Sequence, residues 1–227
     1  MNLSPTKRYY LLLADIEGTT RLEPAVLRKA TGSLNRKVRS LNTRYGSSLA
    51  VPLKRSYGDE IAALLISPEQ LYDMADGIRE SLYPHARVRF VFTSGRIGVP
   101  SRDITVVGGP IFKEAQALML DLKKRRGLFA WKLGSGYLDT ILNALSGLTS
   151  SLIEDLTDYR RSIWRSLRTG QTQRQIARML HRHPQSVSQA IGRGHIKSII
   201  QGEQAIRAAL GAISKPVSVY PRRSNRK

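Results

Sequence analysis

The sequence predicts an α+β chain in which strands and helices alternate through the first half and give way to helices alone in the second. Three observations carry this expectation. Apolar runs bounded by turn residues lie at 9–16, 61–66 and 88–99, and the segments at 24–45 and 108–126 between and after them have helical spacing. Beyond residue 150 the apolar positions recur only at intervals of three and four. The same cut divides the charge: residues 1–150 hold 22 basic and 13 acidic side chains, residues 151–227 hold 15 and 4, so +11 is packed into about half the length that carries +9.

The 227 residues suffice for two small domains or one large one, and a hydrophobic fraction of 41% is enough to give each a buried core. A formal charge of +20 calls for a polyanionic partner, nucleic acid or an anionic membrane surface. The absence of cysteine excludes a disulfide scaffold, a thiolate zinc site and a cysteine nucleophile. No apolar run approaches the roughly 18–20 residues of a membrane span, and the apolar N-terminal stretch reads as a buried strand rather than a signal peptide. A soluble cytoplasmic protein is expected, with no membrane partner, since no amphipathic anchor is present.

Taken in order, YYLLLADI (9–16) is a strand that delivers Asp15 into EGTTRLEP and a helix over about 24–45. A carboxylate at a strand end, followed by a Gly/Thr turn into a helix, suits a metal-bound phosphate, because the carboxylate holds the cation and the helix start supplies N–H donors. In LKRSYGDEIAALLI a tight turn at Tyr57 and Gly58 sets Asp59 and Glu60 at a hairpin tip before an apolar strand. VRFVFTSGRIGV (88–99) reads as a central strand, and GGPIFKEAQALMLDLKKRR (108–126) as a glycine turn into an amphipathic helix.

ADIEGTT, YGDEIAALL, TSGRIG and GGPIFKEAQAL, in that order over about residues 8–126, resemble the palm of class III nucleotidyl cyclases, and the second of them also resembles the GGDEF signature of diguanylate cyclases. The resemblance implies a ferredoxin-like, cyclase-type palm. It implies Asp15 and Asp59 as a metal pair for Mg²⁺ or Mn²⁺ with a purine nucleotide, backbone from Ile16, Glu17, Gly18, Thr19 and Thr20 around the phosphates, and Lys54 or Arg55 near the base. Two departures weigh against catalysis. Lys113 and Ala117 stand where the cyclases carry a helix Asn and Arg that stabilise the transferring group; Lys113 would take over part of that charge neutralisation. Tyr57 replaces the first glycine of the diguanylate cyclase pattern, where backbone must approach the nucleotide. A nucleotide-sensing or purely structural palm rather than a working cyclase is therefore expected, the alternative being a metal-dependent cyclase or phosphoryl-transfer enzyme with an appended DNA-binding module.

A Gly/Ser-rich stretch, with apolar residues spaced like a short helix, suits a connector or dimerising helix at 134–150. SSLIEDLTDYRRSIWRSL (150–167) predicts one helix with Leu152, Leu156, Tyr159, Ile163, Trp164 and Leu167 on its core face, stopped at Gly170. Thr172 and Gln175 then form a capping-box start, Ile176, Ala177 and Leu180 a buried face, Pro184 the first position of a second helix, and Val187 and Ile191 its anchors. This resembles the bacterial helix-turn-helix pattern, with the turn His181-Arg182-His183 as its one noticeable departure. Gln185, Ser186, Ser188 and Gln189 are left as base-reading side chains, and Thr172, Gln173, Arg174, Arg178, Arg182, Arg193 and Lys197 as phosphate contacts. His181 and His183, two apart on a helix with no cysteine, make a poor metal pair. GEQAIRAALGAI (202–213) is a further helix, and the basic end from 215 a disordered tail.

A cyclase-like palm (1–133) followed by a helix-turn-helix domain (151–214) is similar to the SatD family. The resemblance implies a fold and a DNA-binding end, not a reaction; with the charge and the helix-turn-helix side chains, a homodimeric, sequence-specific regulator of transcription that binds double-stranded DNA is expected, with a purine triphosphate or a cyclic nucleotide as the palm's ligand.

Overall fold

The computed structural model describes residues 3–18, 23–55 and 60–214. Thr19, Thr20, Tyr57, Gly58, Asp59 and the basic end from 215 lie outside the described residues. The chain is an α+β protein: a ferredoxin-like palm built on one five-stranded sheet, followed by helices. No helix among the described residues is long and apolar enough to cross a membrane.

Strand β1 (Tyr9–Ile16) leads into helix α1 (Pro24–Tyr45), and β2 (Leu49–Arg55) and β3 (Glu60–Leu65) form a hairpin. Helix α2 (Leu71–Leu82) returns the chain to β4 (Val88–Gly95). The sheet order is β2-β3-β1-β4-β5, antiparallel throughout except that β5 (Phe129–Lys132) lies parallel to β4. The βαβ units β1-α1-β2 and β3-α2-β4 are thus each split by a strand from the other, which is the ferredoxin-like arrangement. Pro52 sits in β2, at the sheet edge, where its missing N–H breaks no interior ladder; the pairing with β3 is irregular on both sides of Val51.

Both faces of the sheet are covered, which explains why β1 is apolar at nearly every position. Leu12, Ala14 and Ile16 point into a core shared with α1, α2 and α5 (Gly136–Glu154), where Phe92 stacks on Trp131 with ring centroids 3.8 Å apart. Tyr9, Leu11 and Leu13 face the short helix α3 (Ile104–Val107) and α4 (Pro110–Lys124). Gly109, with φ 99°, starts α4 where a Cβ would stand 2.2 Å from the Gly98 backbone nitrogen, so only glycine lets the two loops meet. β4 stops at Gly95, short of the expected Val99, because the chain there passes over Ile111 and turns back along 107–108.

The stretch expected as a connector is helix α5, nineteen residues long, with Leu142 in the palm core. The single helix expected over 150–167 is two. α5 ends at Glu154 and α6 (Asp158–Arg168) begins after Thr157, whose hydroxyl accepts the Arg160 N–H at 3.4 Å. The local cap, reinforced by Asp158 in the first turn, outweighs the apolar periodicity that ran across it. The predicted stripe is buried all the same, with Leu156, Ile163 and Trp164 in a core shared with α7 (Gln173–Met179) and α8 (Pro184–Arg193). Helix α9 (Ile196–Ser214) joins the two cores: Ile196 and Ile199 pack with the helical part, Ile206 and Leu210 with the palm.

Candidate functional site

At the palm end of β1 the carboxylates are already matched by cations of the chain itself. Asp15 takes Lys123 of α4 at 2.8 Å on one oxygen and Arg89 of β4 at 3.4 Å on the other. Glu17 pairs with Arg89 and lies 4.0 Å from Arg87. Glu60 opens β3 directly across from Asp15, and burial, then the Asp15 charge, raises its carboxyl above the usual value. Lys54 is drawn to Asp103 at 3.3 Å, and Asp103 caps α3 through the Thr105 N–H, which holds its carboxyl below the usual value. Ile16 closes β1, Gly18 turns with φ 73°, and Arg55 ends β2.

Asp59, the other carboxylate of the expected metal pair, lies outside the described residues. No group of three His, Asp or Glu able to hold a metal occurs among the described residues, and an ion at Asp15 would have to displace both Lys123 and Arg89. Lys113 lines a cavity of about 240 Å³ together with Leu13, Glu60, Thr105 and Gly109. That volume suits a phosphate group rather than a whole nucleotide. Arg89 and Lys123 escaped sequence reasoning because each reaches Asp15 across more than 70 residues of chain.

The helical part assembles a second surface. Thr172 caps α7: its hydroxyl accepts the Gln175 N–H at 3.3 Å while its own N–H donates to Gln175 Oε1 at 2.7 Å, the capping box legible in the sequence. Thr172→Ala is expected to cost about 1 kcal/mol, read as a lower urea midpoint at unchanged slope. The helix closes through His181, whose φ of 49° lets its N–H reach the Arg178 carbonyl and the Arg182 N–H the Ala177 carbonyl. His181 therefore fills the left-handed position that glycine commonly takes, and the departure in the turn preserves its geometry. His183 caps α8, its Nδ1 accepting the Gln185 N–H at 3.3 Å, with Pro184 in the first turn. A histidine cap lies outside the Ser/Thr/Asp/Asn rule, and only the proline after it hinted at it.

Ile176, Ala177, Val187, Ala190 and Ile191 are buried between the helices. Gln185, Ser186, Ser188 and Gln189 are all exposed on α8. Around them Arg174, Arg178, Arg182, Arg193 and Lys197 are exposed as well, with Thr172 exposed and Gln173 half-buried. Two hollows flank α8. One, of about 740 Å³, lies between Arg174, Arg178, Arg182 and Pro184; the other, of about 240 Å³, brings Arg160 and Thr157 of the α6 start beside Ser186, Gln189 and Arg193. Arg160 was not singled out from sequence, since nothing local ties α6 to α8.

No protein-family model and no curated protein matches the chain. Among solved structures, an adenylate cyclase from Trypanosoma brucei in its monomeric state is similar at 19% identity and a TM-score of 0.39, over 50% of this chain and 67% of its own. The guanylate cyclase domain of RhGC from Catenaria anguillulae, in complex with GTP, is similar at 16% identity and 0.37, over 48% and 70%. A regulator of polyketide synthase expression from Bifidobacterium adolescentis is similar at 14% identity and 0.22, over 91% of this chain and 80% of its own.

Proposed function

We propose that the protein is a sequence-specific DNA-binding regulator of transcription. One observation carries this reading: α8 buries only small and apolar side chains and presents Gln185, Ser186, Ser188 and Gln189 outward within a ring of five cations. Glutamine pairs bidentately with adenine and serine with base or phosphate, whereas the ring of Arg and Lys positions the helix without reading sequence. Two copies would read half-sites about 10 bp apart, one turn of the duplex. The palm's part is to hold a nucleotide phosphate at the Lys113 cavity, with Asp15 neutralised by Lys123 and Arg89 in the place a divalent ion would take.

Selection of bound duplexes from a random library, followed by titration at several salt concentrations, tests the reading. Gln185→Ala and Gln189→Ala are expected to flatten preference at individual positions by about 1–3 kcal/mol. Arg178→Ala should weaken binding to all sequences alike and shrink the salt slope by about one. If the three variants behave identically, α8 is not the reading helix.

A further inference from the structure

The palm and the helical part meet across a cleft of about 660 Å³, none of whose lining residues belongs to the two sites described above. α1 and α2 supply the palm wall, α6 and α9 the opposite one. Its floor is a network of ion pairs. Asp76 is shared by Arg79 and Arg168, Glu80 by Arg161 and Arg165, Asp73 holds Arg207 at 2.7 Å, and Glu203 takes Arg168 at 3.2 Å. Across the cleft stand Lys37 and Arg44 of α1, and among the described residues neither has a carboxylate within 4 Å. Five cationic side chains, Lys37, Arg44, Arg165, Arg168 and Arg207, therefore line the cleft with four carboxylates, and the two on α1 are the ones with no carboxylate beside them among the described residues.

The rest of the lining is less polar. Leu41, Ile200 and the ring of Tyr45, with Arg44 over its face at 5.2 Å, form an apolar and aromatic wall. The volume falls in the range of small-molecule sites, roughly 300–1,000 Å³, and far exceeds what an inorganic anion fills. We propose that this cleft binds a phosphomonoester of nucleotide size, its dianion met by Lys37 and Arg44 and its organic part set against Tyr45, Leu41 and Ile200. Such a ligand touches α1 and α2 of the palm and α6 and α9 of the helical part together. It would favour whichever arrangement of the two fits it better, which is the requirement for an effector.

Calorimetric titration of the full chain at low salt tests this, with adenosine 5′-monophosphate, ribose 5-phosphate, adenosine and inorganic phosphate as probes. The two phosphomonoesters are expected to bind, and adenosine and inorganic phosphate to bind at least about tenfold more weakly. Lys37→Glu and Arg44→Glu should each weaken the monophosphate by about tenfold or more with unchanged thermal melts. No binding of either phosphomonoester, or equal binding of adenosine, overturns the proposal. So does affinity that survives both charge reversals, or that is lost instead in Lys113→Ala, which reports on the palm cavity. A charge reversal that leaves the monophosphate bound and weakens only duplex DNA would make the cleft a backbone contact, and overturns it equally.

Discussion

Asp76→Ala is expected to lower folding stability by about 3–5 kcal/mol, measured as a fall in the urea midpoint. Asp76 is buried in α2, and its carboxylate joins Arg79 of the same helix, at 2.5 Å, to Arg168 of α6. Burial opposes its ionisation, yet the two guanidinium groups hold the carboxyl below the usual value. Removing it leaves two largely buried cations facing one another, with Glu203 alone to serve Arg168 and a 4.0 Å approach to Glu80 for Arg79. Loss of one partner of a buried pair is costly because the other charge stays dehydrated. The effect should exceed that of Arg207→Ala, whose pair with Asp73 is about one-third exposed on both sides and so screened by water. A loss below about 1 kcal/mol would mean that the network is hydrated and does not tie α6 to the palm.

Glu203→Gln is expected to remove a pH dependence of stability. Glu203 is 1% exposed in α9, and burial pushes its carboxyl up to about 7 from 4.5, with Arg168 pulling the other way and Asp76 adding to the rise. Arg79 and Arg207 also face it and lower it, and Tyr72 donates its hydroxyl at 3.5 Å. Between about pH 4.5 and 7 the folded chain therefore holds a proton that the unfolded chain has released, so this group's stabilising contribution is present in acid and is lost as pH rises. At about 1.4 kcal/mol per pH unit the whole change is about 3.5 kcal/mol, of which about 2.5 kcal/mol falls between pH 5 and 8. The wild type should lose that much relative to Glu203→Gln between pH 5 and 8, since glutamine keeps the shape and an acceptor for Arg168 without a titrating proton. Parallel stability curves for the two proteins would show that Glu203 is ionised throughout.

Local signals account for what was legible in advance. The continuous apolar runs became β1, β3 and β4, the Thr172 to Gln175 box became the start of α7, and Gly170, with φ 83°, ended α6 as read. Each of these is decided within one turn or one strand, where capping, left-handed backbone and apolar periodicity act directly. The same locality misled at 150–167, where the stripe was continuous but Thr157 offered a cap inside it. Three residues of the expected metal and phosphate site, Asp59, Thr19 and Thr20, lie outside the described residues, so this end of the sheet is described only on its β1, β4 and α4 sides.

By itself the sequence determined the apolar runs of β1, β3 and β4, the helical spacing of α1 and α4, the cap of α7, the exposed polar face of α8 and the excess of positive charge. Which charges neutralise which was decided by the tertiary structure. Asp15 reads as a free ligand until β4 and α4 bring Arg89 and Lys123 to it, and Arg161, Arg165 and Arg168 read as a solvated basic face until α2 presents Asp76 and Glu80 to them across 81 to 92 residues of chain. Periodicity tells a side chain which face of its helix it occupies. The partner waiting on that face depends on how sheets and helices pack, and it is this partner that sets desolvation, ionisation and the surplus charge left over for a ligand.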